Sequence, residues 1–314
     1  MESVNKFQSL VILLMVAIGI LLGQIGFVQT YSEYLRTPFL MVMLFLVFLQ
    51  IPLKDILKSF KNLKFTLTAV IINFIWTPLL ILVLGRLFLV DHPELLIGYI
   101  MLMVTPCTDW YLIFTGISKG NVALGSSILP LNLVLQLVLL PVYVFLIGGS
   151  SVDMNTMQLV KGVVSTLIIP LLCAIIIRKI IINKIGHEDF EEKVATKACD
   201  YQGYFLNAAI VSMFASQGKI LLENIQVLLI LLIPVLLFFV INFCVGRLVG
   251  RVMKLNYEDS VALNLTTLAR NSPIALAIAV ATFPDRPLIS LALIIGPLIE
   301  LPVLFLIAKS SINN

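Results

Sequence analysis

Charge is what this sequence has least of. Charged residues make up 12% of the 314-residue chain, about half the share usual in soluble domains. That shortage excludes a soluble globular domain of this size. Long polar segments are scarce too: the longest runs from Lys184 to Lys197 and holds His187-Glu188-Asp189-Phe190-Glu191-Glu192, too short to be a domain. His187, alone in that charged stretch, reads as a solvated side chain rather than a ligand or proton carrier.

Cysteine is limited to four residues, with no Cys-x-x-Cys pair and no metal-finger spacing. Disulfides, structural metal and other cofactors are therefore not implied. Gly-x-Gly-Asp and His-Glu-x-x-His are both absent, which argues against an intramembrane enzyme. No filter-like repeat or charged ring points to a channel.

What the chain has in abundance is apolar sequence: 60% of residues are hydrophobic and the mean hydropathy is +1.08. Ten stretches of about 20 residues, the length that crosses a bilayer core, lie near 10–28, 35–52, 66–90, 95–118, 121–148, 157–182, 200–217, 225–251, 259–283 and 288–309. The first has no Ala-x-Ala-type exit and is followed quickly by a second, so it reads as a retained span rather than a signal peptide. The expected fold is an all-α polytopic membrane protein.

Cytoplasmic loops hold an excess of Lys and Arg, and this bias sets the orientation. With the N-terminus inside, 15 basic residues fall on the cytoplasmic side and five outside (Arg36, Arg86, Lys161, Lys219, Arg286), with Arg270 inside a span, which accounts for all 21. Both termini are expected on the cytoplasmic side of a plasma (inner) membrane. Topology and anionic lipid explain the net charge of +4, so no nucleic-acid partner is implied. Between spans 2 and 3, Leu53, Ile56, Leu57, Phe60 and Leu63 recur opposite Lys54, Lys58, Lys61 and Lys64, the pattern of an interfacial, topology-setting helix.

Ten spans divide into five and five, and because five is odd, a duplicated unit inserts upside down relative to its partner. Repeat 1 covers about 1–150 and repeat 2 about 151–314. Their fourth spans are interrupted at Pro106 and Pro273, and their fifth carry Pro130 with Asn132 and Pro297 with Glu300. A proline removes a backbone donor and frees carbonyls, and paired interruptions of this kind mark substrate sites in transporters. Pro141, Pro170 and Pro234 read instead as packing kinks.

Three ionisable residues sit at these places, where a charge at mid-bilayer costs about 2.5–3.5 kcal/mol: Asp109, Arg270 and Glu300. If the broken spans cross, Asp109 and Arg270 neutralise each other and Glu300 is left as a protonatable site. Cys107 directly follows Pro106, and its thiol is the softest ligand a protein offers, suited to trivalent arsenic or antimony. Cys173, Cys199 and Cys244 read as small buried hydrophobes.

In Pro106-Cys107, Lys119-Gly120-Asn121-Val122-Ala123-Leu124, Asn132 and Gly296-Pro297-Leu298-Ile299-Glu300-Leu301-Pro302-Val303-Leu304, the chain resembles the arsenite permeases and bile acid:sodium symporters. The arsenite branch is the nearer of the two. The resemblance covers most of the chain and implies a panel of spans 1, 2, 6 and 7 beside a core of spans 3–5 and 8–10, with broken spans 4 and 9 crossing. It also implies that Cys107 and Glu300 are required for transport.

Two departures stand out. Where the bile-acid branch has sodium ligands in span 9, this chain has Thr266, Arg270 and Asn271, and Arg270 would repel a cation, which disfavours sodium coupling there. Where the arsenite branch has an arginine before the cysteine and a glutamate after the asparagine, this chain has Pro106 and Ile274 or Ala275. The reading is a secondary transporter for proton-coupled efflux of arsenite or a related trivalent metalloid, with Cys107, Asp109, Asn132, Arg270 and Asn271 at the substrate and Glu300 carrying the proton. The alternative is transport of an organic anion with Arg270 as counter-charge.

Overall fold

The computed structural model describes residues 11, 14–50, 60–107, 110–148, 168–223 and 225–312. Among these, regular structure is helical, and the extended chain pairs in an isolated antiparallel bridge between Pro106 and Arg270. A helical stretch at 14–22 precedes eleven named elements. They are α1 (Gly26–Gln50), α2 (Leu63–Phe88), α3 (Pro93–Met103), α4 (Trp110–Ile117), α5 (Val122–Gly148), α6 (Ile169–Ile185), α7 (Thr196–Glu223), α8 (Ile225–Val252), α9 (Tyr257–Leu268), α10 (Ser272–Thr282) and α11 (Pro287–Ile312).

Among the described residues, five segments are long and apolar enough to cross a membrane: Gly26–Gln50, Leu63–Phe88, Val122–Gly148, Leu229–Val252 and Pro287–Ala308. Leu79, Val83 and Leu87 on α2 and Val138 and Leu146 on α5 face outward, an apolar surface that hydrocarbon can solvate and water cannot. Helices α3 and α10 have 11 residues each, about 16 Å of rise. Each is too short to cross a bilayer core alone.

Side-chain caps set the ends of these half-helices. Asn271 accepts from the N–H of Ile274 at the start of α10, as Asn121 does from Leu124 in α5 and Asn256 from Asp259 in α9. Pro273 is the second residue of α10, where a missing N–H costs nothing. The helix therefore stops before Pro273, at Ala269–Asn271, and Pro273 begins the next one.

Spans 1 and 2 differ from expectation. The chain turns at 23–25 and α1 starts at Gly26, ahead of the start expected near 35, so Arg36, counted on the outer side, lies well inside a helix and is 5% exposed. The polar run Gln29–Glu33 does not end the helix, because Ser32 and Arg36 share its buried face while Tyr31 and Tyr34 point outward as interfacial aromatics do. The polar segment near 190 is also helical: after Gly186 (φ +87°) the chain runs through His187–Asp189 and a π-turn at Phe190–Ala195 into α7. Burial of Phe190 under the Arg178 guanidinium, 4.6 Å from its ring, pins that turn. The amphipathic reading of 53–64 falls largely on residues outside those described, as do 157–167.

Packing joins α1 to α6 and α7, while α2 through α5 contact α8, α9 and α11. Arg178 ties the first group at one end by donating to Leu49 O and Glu191. In the second group a Cβ on Gly98 of α3 would lie 2.7 Å from Ala292 Cβ and 2.8 Å from Ile289 O. Only glycine lets α3 and α11 approach so closely.

Candidate functional site

The two helix breaks meet inside the protein. Cys107 N–H donates to Ala269 O at 2.9 Å and Asn271 N–H donates to Thr105 O at 2.7 Å, with Ala269 extended (φ −71°, ψ 140°). Unpaired backbone groups in hydrocarbon cost several kcal/mol each. The breaks satisfy one another through this short ladder. Pro106 pairs with Arg270 in the bridge, a position at which its lack of an N–H leaves no donor orphaned.

The Arg270 N–H points the other way and donates to Glu300 Oε1 at 2.8 Å. Glu300, on α11, is 3% exposed. One carboxylate oxygen thus holds the backbone of the α9–α10 break. The Arg270 side chain, 1% exposed, turns into a ring of neutral acceptors. Nε donates to Leu268 O at 3.1 Å, Nη1 to Met103 O at 2.9 Å, and Nη2 to Asn73 Oδ1 at 3.3 Å and to Thr267 O. The Phe238 ring lies 5.0 Å from the guanidinium, a cation–π contact in a desolvated setting.

Asn73 and Phe238 were not singled out from the sequence. Asn73, on the π-turn of α2, also donates to Thr266 O at 3.3 Å. A polar residue in an apolar span was its visible signal, and π-turns mark functional places often enough to make it informative. The carbonyls of Met103, Thr267 and Leu268 carry no such signal, because every residue has one.

Of the residues expected at the substrate, Cys107 (2% exposed), Arg270 and Asn271 sit together at the crossing. Asn132 on α5 is fully buried and donates through Nδ2 to Thr266 Oγ1 at 3.4 Å, one turn before Arg270. Asp109 lies outside the described residues, so its expected pairing with Arg270 does too. Cys173 and Cys244 are exposed rather than buried. They sit on outward helix faces, where their neighbour is the surroundings and not the core.

A family model described as the Sodium Bile acid symporter family matches residues 37–224, more than half of the chain. The chain belongs to the Sodium Bile acid symporter family. Curated relatives place it in the wider superfamily of arsenite permeases and bile acid:sodium symporters. It is 29% identical over 248 residues to "Arsenical-resistance protein Acr3" of Corynebacterium glutamicum, covering 75% of this chain and 66% of that protein, just under two thirds. It is 23% identical to "Arsenical-resistance protein Acr3" of Alkaliphilus metalliredigens, over 94% of this chain and 87% of that protein. A similar match, 22% identical over 97% of this chain and 87% of the relative, is to "Uncharacterized transporter slr0944" of Synechocystis. As a member of the Sodium Bile acid symporter family, the chain is a membrane transporter.

Proposed function

We propose that the chain is a secondary transporter that exports arsenite or a related trivalent metalloid in exchange for protons. In this reading ten spans form two inverted five-span repeats. The group containing α1, α6 and α7 is the panel, the rest is the core, and both termini are cytoplasmic. The observation that carries the reading is a soft thiol, at Cys107, set on the same unwound crossing whose backbone is held by the Glu300 carboxylate.

The chemistry follows from those groups. A trivalent arsenic bearing hydroxyls exchanges one of them for the Cys107 sulfur: an As–S bond forms, an As–O bond breaks, and the thiol proton leaves with the hydroxide as water. Soft sulfur prefers such a centre to any hard ion. Glu300, when ionised, receives a charge-assisted hydrogen bond from the Arg270 N–H. Protonation weakens that bond and loosens the joint between α9 and α10, so proton uptake and release alter the geometry around the cargo. The names of the two arsenical-resistance relatives support this choice of cargo.

The organic-anion alternative needs Arg270 to bind a carboxylate. Four of the five guanidinium N–H groups already donate to Leu268, Met103, Asn73 and Thr267, which leaves too few for a bidentate anion. Expression in metalloid-sensitive cells tests the proposal: the wild type should confer arsenite and antimonite resistance. Unchanged sensitivity at good membrane expression would reject the cargo.

A further inference from the structure

One turn of α5 carries three buried polar atoms that have no hydrogen-bond partner among the described residues: Oδ1 of Asn132 and both Oε1 and Nε2 of Gln136. The two side chains are 0% and 1% exposed and, four residues apart, share one helix face. That face looks toward the crossing, because the other end of the Asn132 amide donates to Thr266 Oγ1 on α9. Turning the Asn132 amide over only exchanges which of its ends is left over.

Buried amides without partners are unusual and costly, and apolar replacements of similar shape are typically neutral or stabilising. Their presence beside the crossing calls for something that completes them. The unfilled set is two acceptors, Asn132 Oδ1 and Gln136 Oε1, and one donor group, Gln136 Nε2. A hydroxyl both donates and accepts, so a molecule with several hydroxyls satisfies all three. A carboxylate or sulfonate offers acceptors alone and would face two more acceptors. A bare cation cannot use Nε2 and would enter a region already holding the Arg270 guanidinium.

We propose that Asn132 and Gln136 form a hydroxyl-binding site, and that the cargo is recognised as a small neutral polyhydroxylated solute, of which undissociated arsenic(III) trihydroxide is one example. A neutral cargo also avoids carrying charge through the bilayer core. The proposal rests on the reading of the chain as a transporter of a small inorganic solute, but not on the thiol.

The test uses the full-length protein purified in detergent, with melting temperature as readout, because a ligand that binds the folded state raises it. The probes are sodium arsenite at neutral pH and boric acid, a neutral trihydroxide without affinity for sulfur. The variants are Gln136→Met and Asn132→Leu. Without probe, Gln136→Met, which removes an amide with neither end partnered among the described residues, should melt at or above the wild-type temperature. Boric acid should protect the wild type and neither variant, and the arsenite concentration giving half-maximal protection should rise about tenfold in each, the scale of one lost hydrogen bond.

Boric acid protection of the variants at wild-type concentrations, or no boric acid protection of the wild type, overturns the proposal. Melting of Gln136→Met below wild type also overturns it, since the Gln136 amide would then be partnered. If boric acid protects in a Gln136-dependent way while arsenite acts no better than boric acid, the hydroxyl site stands and the metalloid reading fails.

Discussion

The backbone N–H of Arg270 and the carboxylate of Glu300 meet at 2.8 Å, although 30 residues separate them in the chain, while the Arg270 guanidinium turns away to neutral oxygens. Their link is therefore main chain to side chain. Changing the Arg270 side chain and changing Glu300 should have separable effects.

Glu300→Gln keeps a carbonyl oxygen that can accept from the Arg270 N–H, so the protein should fold, but an amide cannot release a proton. In vesicles, cargo exchange should persist while uphill export under a pH gradient is lost. Pumping at the wild-type rate under that gradient would move the proton site elsewhere, with Asp109 next to test.

Arg270→Ala removes a cation that four acceptors surround and leaves those acceptors in a buried, empty space. The loss should be large, about 3–5 kcal/mol as for other disrupted buried charge sites, seen as a collapse in folded yield by size-exclusion chromatography. Arg270→Ala with wild-type yield and melting temperature would show that the ring of carbonyls does not depend on the guanidinium.

Cys107→Ser should abolish metalloid resistance, since a hydroxyl is a poor substitute for sulfur toward a soft centre. Cys173→Ser, Cys199→Ser and Cys244→Ser should keep it. Growth on antimonite at matched expression distinguishes them, and full resistance in Cys107→Ser would exclude thiol ligation.

Replacing sodium by choline in the transport buffer should leave the rate unchanged, because the Arg270 guanidinium occupies the Leu268, Met103 and Asn73 oxygens and would repel a second cation at the crossing. A rate that rises with sodium at constant ionic strength would contradict this.

Gly98→Ala should destabilise by about 1–3 kcal/mol through overpacking, as its Cβ would meet Ile289 O and Ala292 Cβ at under 3.0 Å. Gly203→Ala on α7, where no other helix among the described residues comes within 4 Å of the added carbon, should instead stabilise by about 0.5–1 kcal/mol from helix propensity. Melting temperatures of the two variants should move in opposite directions.

The parts of this site that the sequence displayed were those that violate an apolar background. Pro106, Arg270 and Glu300 each stand out in a span that otherwise needs no proline or charge, and Cys107 stands out by adjacency. What the sequence concealed was geometry made from groups all residues share, such as the Met103 and Thr267 carbonyls that solvate the guanidinium. The start of α1 was set too late for a related reason. A helix running into the headgroup region can keep polar residues such as Ser32 and Glu33, so their presence alone does not mark a loop. Gln136 was legible as a polar residue in an apolar span, but its lack of a partner is visible only once the helices are assembled.

The joint between α3 and α10 is closed by main-chain hydrogen bonds, Cys107 to Ala269 and Asn271 to Thr105, and neither bond depends on what side chain those residues carry. The crossing is thus a frame whose fastening is chemically separate from its contents. On the proposed reading of the cargo, substitutions at positions such as 107 should retune what the site grips without unpicking the fold that presents it.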